Sequence, residues 1–216
     1  MIDGALLTAW ASPDTAAGRV YGVTVGVVTN NQDPEGLGRV KVRFPWLSEQ
    51  DESHWARVVT PMAGNDRGLY LLPEVDDEVL VAFEHGRVEL PYVLGALWNG
   101  KDKPPESNGD GKNALRTLKS RSGHVIRLDD TDGGEKIEIV DAKGKESIVF
   151  DAAKNTITVS ADKDVVIESK NGSLKLSGKN GVEIVSQGKA KIQASQNLDV
   201  KSDAQVNVKG STINLN

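Results

Sequence analysis

The chain has 216 residues, 38% of them apolar and 26% charged, a composition typical of globular sequences folding as one large domain or two small ones. Its net charge of -5 gives no reason to expect a polyanionic partner, and the absence of cysteine excludes disulfides and thiolate metal sites. The opening Met1–Trp10 lacks the basic lead of a secretory signal, and no apolar run approaches the ~18 residues of a membrane helix, so cytoplasmic synthesis without a signal peptide is predicted.

Five short segments near the start alternate with the period-two pattern of half-buried strands. They are Tyr21–Val28, Arg39–Phe44, Trp55–Thr60, Glu78–Phe83 and Tyr92–Leu97. Turn residues separate them, among them Asp33-Pro-Glu-Gly36, Gly64-Asn-Asp-Arg-Gly68 and His85-Gly86. Five strands in so short a span suit a small closed barrel, which leaves no strand edge open.

Composition changes sharply near residue 105. Nine of the ten aromatic residues precede residue 100 and all eight prolines lie at or before Pro105. The polar, Gly- and Pro-rich stretch Asn99–Lys112 reads as a linker. The predicted division is an N-terminal segment 1–18, a barrel 19–100, a linker 101–122 and a repetitive region 123–216.

In that last region apolar residues recur as i, i+2 pairs. The earliest are Ile126/Leu128, Ile137/Ile139 and Ile148/Phe150, spaced 11 residues apart. Next come Ile157/Val159, Val165/Ile167, Leu174/Leu176, Val182/Ile184, Ala190/Ile192, Leu198/Val200, Val206/Val208 and Ile213/Leu215, whose spacing settles to eight. An i, i+2 pair places both side chains on one face of a strand. Ordering eight residues costs roughly 1–2 kcal/mol each. Two buried aliphatic side chains return only roughly 1.5–3 kcal/mol each. A lone chain of such octads therefore cannot enclose a core. Three chains wound about one axis solve the problem, because their apolar pairs meet in the middle. The fold class expected is all-β, a barrel followed by an intertwined trimeric β-helix needle. An antiparallel meander and a single-chain solenoid are the alternatives. At ~4.8 Å per level, eleven pairs predict a needle on the order of 50 Å long.

Four stretches carry a family resemblance. They are Gly38-Arg-Val-Lys-Val-Arg-Phe-Pro-Trp46, Trp55–Gly64, Gly68–Phe83 and Pro91–Gly100. In order and spacing they resemble the valine-glycine repeat protein G and phage baseplate protein V families, and the octads resemble the needle of the same group. The resemblance implies an OB-fold barrel and a non-enzymatic structural spike at the tip of a contractile injection machine. That machine would be a phage tail, tailocin, extracellular injection particle or type VI-like system, and the spike would pierce the target envelope when the sheath contracts. It further implies a homotrimer in a phage-tail-like particle, a separate hub protein at the barrel end, and transient contact with the target membrane. A PAAR-type tip protein is implied at Ile213, Leu215 and Asn216. The needle core would comprise Ile157, Val159, Val165, Ile167, Leu174, Leu176, Val182, Ile184, Ile192, Leu198, Val200, Val206 and Val208.

No catalytic, cofactor or metal site is expected. His54, His85 and His124 lack ligand spacing. Asp76-Asp77-Glu78 and Asp129-Asp130 sit in turns, where Asp serves the backbone. Ser122-Gly-His124 lacks the nucleophile-elbow context. Arg39, Lys41 and Arg43 alternate on one strand near Phe44, Trp46 and Trp55. That strip is the only nucleic-acid candidate, and the preferred reading has the aromatics capping the core and the cations facing solvent or a neighbouring chain.

Overall fold

The structure, a computed structural model, describes residues 18–47 and 51–214. The described residues form twelve strands and a single 3-10 turn, Glu84–Gly86. The chain divides into two compact units between Asp162 and Lys163.

The barrel takes its order from strand alternation. Strands β1 (Val23–Asn30), β2 (Arg39–Arg43), β3 (Ala56–Val58), β6 (Glu78–Phe83) and β7 (Pro91–Ala96) close in the order β1-β2-β3-β7-β6. All neighbours are antiparallel except β3 and β7, whose short parallel pairing joins Arg57 to Tyr92 and Val58 to Val93. Register shifts between Val28 and Asn30, and between Leu80 and Val81, bend the strands round the closure. The two-stranded hairpin β4 (Ala63–Gly64) and β5 (Arg67–Gly68) lies in the long β3–β6 connection.

Inward positions alternate along each strand. Val28, Val40, Val42, Phe44, Ala56, Val79, Val81, Phe83 and Val93 form the buried core. Phe44 meets Phe83 edge-on at 5.4 Å between ring centroids. Gly26 belongs to this interior because Val42 and Phe44 fill the space its side chain would need.

After the barrel, β8 (Leu115–Lys119), β9 (Val125–Asp129), β10 (Lys136–Val140), β11 (Ser147–Asp151) and β12 (Thr156–Ser160) form an antiparallel meander in sequence order. Two expectations need adjusting here. The stretch assigned to a linker, 101–122, contains β8. The first four apolar pairs of the repetitive region lie in a sheet made by one chain, which is the meander alternative. Their spacing is eleven, eleven and nine residues. It leaves connections long enough for the chain to reverse, with Gly133, Gly144 and Asn155 at φ 71°, 68° and 54°.

From Lys163 onward the backbone changes character. Bends recur at 170–172, 179–180, 187–188, 195–196, 203–204 and 211, and the residues between form neither helix nor paired strand. No strand pairing occurs within this unit among the described residues.

Gly26 supplies a test of the barrel. A Cβ there would collide with Cγ1 of Val42 and come within 3.2 Å of both the Arg43 carbonyl oxygen and Cε1 of Phe44. Gly26→Ala is expected to destabilise the barrel by about 1–3 kcal/mol through overpacking, read as a lowered urea midpoint.

Candidate assembly interface

The two faces of the meander are inverted relative to an ordinary sheet. Pairing aligns Leu128, Ile137, Phe150 and Ile157 in one cross-strand row. Leu118, Ile126, Ile139, Ile148 and Val159 form a second row on the same face. Every one of these side chains is exposed, from 38% at Ile148 to 67% at Ile157. The opposite face carries Thr117, Arg127, Glu138, Val149 and Thr158 in register, and its residues on β9, β10 and β11 are the more sheltered ones. A contiguous apolar face left open beside a sheltered polar one marks an interaction surface.

The octad unit has the same character. Val165, Ile167, Leu174, Leu176, Val182, Ile184, Ile192, Leu198, Val200, Val206 and Val208 all lie between its bends and are exposed. The chain brings none of these pairs against another, whereas it does align Ile157 and Val159 beside Phe150 and Ile148. Ile213 is exposed in the final described segment. Leu215 and Asn216 lie outside the described residues.

The barrel has recognisable relatives. Residues 24–98 match the type VI secretion system/phage-baseplate injector OB domain. Over its barrel the chain is therefore similar to type VI secretion and phage-baseplate injector proteins. It is 37% identical over 103 residues, 44% of the chain, to the type VI secretion system spike protein VgrG2a of Pseudomonas aeruginosa. Identity is 28% over 152 residues, 65% of the chain, to the spike protein VgrG3 of Vibrio cholerae. It is likewise 28% over 153 residues, 63% of the chain, to the P. aeruginosa spike protein VgrG1a. These matches cover 12%, 15% and 24% of the three relatives, so the chain corresponds to a minor part of each.

On the injector barrel the cation strip is largely neutralised. Asp33 accepts from Nε and Nη2 of Arg39 at 2.9 and 2.8 Å and from the backbone N–H of Leu37 at 3.0 Å. This fork holds the Asp33 carboxyl well below the ordinary carboxylate range and raises Arg39. Glu35 adds a second partner to Arg39 at 3.2 Å, and Lys41 pairs with Glu52 at 3.0 Å. Arg39 and Lys41 also lie 5.9 and 5.7 Å from the centroid of the half-buried Trp55. Phe44 is in the core and Trp46 is half exposed. Trp55 is therefore engaged by cations instead of lying open as a stacking platform, and the two cations beside it are already paired with acids.

The other sequence candidates serve turns. Nδ1 of His124 accepts from the Ala142 N–H at 3.1 Å, Asp77 accepts from the Glu74 N–H at 2.8 Å, and Asp130 pairs with Arg116 at 2.7 Å. Among the described residues no three His or acidic side chains gather as a metal site. No helix there is long and apolar enough to cross a membrane.

Sequence reasoning missed a polar pin on the meander. Glu106, from the stretch after the barrel, receives Nη2 of Arg127 at 2.6 Å and the Thr117 hydroxyl at 2.9 Å. Arg127 reaches Glu138 at 3.3 Å, and Glu138 also pairs with Lys136 at 3.0 Å. The pin fastens the connecting segment to the polar face and leaves the apolar face free. It also missed a cluster of exposed apolar loop residues, Leu37, Met62, Leu69, Tyr70 and Leu71, lining one hollow beside the β4–β5 hairpin. The uninterrupted run Leu69–Leu72 was the available signal for it.

Arg127, followed by Thr117, lowers the Glu106 pKa below the ordinary glutamate value. The stabilisation is therefore complete above that ordinary value and is lost as pH falls through the lowered one. Glu106→Gln is expected to accelerate amide exchange over residues 101–112 several-fold at neutral pH, by hydrogen-exchange mass spectrometry. In the unmodified chain the same acceleration should emerge only on acidification.

Proposed function

We propose that this protein is a non-enzymatic structural spike component of a contractile injection machine, working as a homotrimer whose octads wind into a β-helix needle. The observation that carries this reading is the run of apolar pairs with no partner inside the chain, attached to an injector barrel. Three copies give each pair two others to meet on a common axis, and the extended segments gain hydrogen-bonding neighbours above and below. The domain scheme proposed is a barrel over 19–100, a connecting segment, and a trimeric region in which the meander's apolar face also turns inward.

Such a needle acts without turnover, by transmitting axial force. Pushing it through an envelope is driven by sheath contraction. From Lys119 to Asn216 the sequence has 15 Lys and Arg against 14 Asp and Glu, so the needle gains little from an anionic membrane surface. The relatives are spike proteins of type VI secretion systems; a phage tail, a tailocin and an extracellular particle use for this chain are equally compatible with the same barrel. A hub protein at the barrel end complements the spike. A PAAR-type tip protein is proposed to dock at Ile213, Leu215 and Asn216. Deleting residues 211–216 should abolish capture of a co-expressed tip protein; undiminished capture would place the docking site elsewhere.

Native mass spectrometry should give three times the 23.2 kDa chain mass, and a folded monomer would overturn the reading. Seven octads at ~4.8 Å per level should appear by electron microscopy as a thin rod roughly 30 Å long. Leu176→Asp would gather three unpaired charges on the axis and should prevent needle assembly. The barrel's circular dichroism should be unchanged by it. A fully heat-resistant Leu176→Asp trimer would show that these pairs do not point inward.

A further inference from the structure

The apolar pairs create a problem of alignment. From residue 174 to 208 every octad offers nearly the same two aliphatic side chains, and the bends recur every eight residues from 179 to 211. One chain displaced by a whole octad would bury the same kinds of side chain at nearly every level. A core of this kind specifies register weakly, as in any strand pairing without distinctive partners.

The residue between the two members of each pair faces the opposite way. Along the regular octads this middle position reads Lys175, Glu183, Lys191, Asp199, so the charge alternates in sign at every step. The flanking octads carry the uncharged Val166 and Asn207 there. No other position of the repeat alternates. The residue after each pair, for example, reads Ser177, Val185, Gln193, Lys201 and Lys209.

We propose that this column is an inter-chain charge ladder that sets the axial register of the trimer; the inference rests on the trimeric reading given above. In a three-chain winding each chain moves to the next face with each octad. Any one face is therefore built from successive octads of different chains. Lys175 of one copy then lies one level, ~4.8 Å, from Glu183 of the next. Glu183 meets Lys191 and Lys191 meets Asp199 in the same way, and symmetry repeats each link three times. Opposite charges directly across neighbouring strands attract and like charges repel. A slip of one octad changes the pairing from successive octads to identical or alternate ones. It sets Lys175 against Lys191, or Glu183 against Asp199. The alternation thus penalises the displacement that the apolar core tolerates, a case of specificity built by repulsion in the wrong state. Its occupant is a further copy of this chain.

The test uses the full-length protein. Glu183→Lys puts cations at three successive levels, and Glu183→Gln removes two links without adding repulsion. A fourfold variant, Lys175→Glu, Glu183→Lys, Lys191→Glu and Asp199→Lys, restores alternation with every sign reversed. Each is scored for oligomeric state by native mass spectrometry and for the rate of heat-induced dissociation, at low ionic strength and in molar salt. The expected order at low salt is parent and fourfold variant slowest, Glu183→Gln intermediate, and Glu183→Lys at least about tenfold faster than the parent. Molar salt should bring all four together. A trimeric parent with Glu183→Lys dissociating at the parental rate, or with the fourfold variant as labile as Glu183→Lys, would overturn the ladder and leave the trimer standing. A monomeric parent would overturn both.

Discussion

Two aliphatic side chains in eight residues of backbone set the terms for this chain. Ordering the backbone costs more than those two side chains return within a single copy. Where one chain supplies its own lid, as in the barrel, inward valines such as Val42 and Val81 reach zero exposure. In the meander one face is partly sheltered and the other is open. In the octads the pairs have no cover, and Ile184 and Ile192 each remain 76% exposed. Burial within the chain therefore declines along the sequence.

Spacing differs between the meander and the octads. Between Ile126 and Ile148 the pairs stand eleven residues apart, five for a strand and six for a connection that turns back. Asp141 shows how such a connection is held. Its carboxylate accepts from the backbone N–H groups of Lys143, Lys145 and Glu146, which lowers its pKa to about 2. From Lys163 the backbone bends and continues without strand pairing among the described residues. One period-two motif thus occurs both in an antiparallel sheet and along a succession of bends.

The barrel was largely legible because its signal is local. All five of its strands fall within a few residues of the alternating segments, and Phe44 takes the core place expected of it. The apolar pairs of the meander were equally legible as facing one way. What the sequence concealed depends on long-range partners. Strand β8 lacks an i, i+2 pair: Leu118 joins the apolar face beside Ile126, but its companion position is Arg116, opposite Leu128. Glu106 looks like one more linker acid, and only the fold brings it to Arg127, 21 residues away. The Asp33–Arg39 fork likewise turned an apparent basic strip into a paired loop support. Alternation reports which face a residue occupies. It does not report what stands opposite.

These differences also order the assembly in time. The barrel and the meander close their hydrogen bonds within one chain, so each can form before copies meet. In the proposed trimer the octads, lacking internal pairing, would order only once three chains are in place, and their stability would be inseparable from chain concentration. Until that moment the meander presents an open apolar face and the octads unpaired backbone, the features that promote aggregation. In such a winding no chain could leave without breaking its bonds to the other two, so release would be slow and resistance kinetic. The proposed needle would meet its load in one abrupt stroke and need resistance on that short timescale, which a core shared among chains would provide where a separate core in each chain would let copies unfold singly.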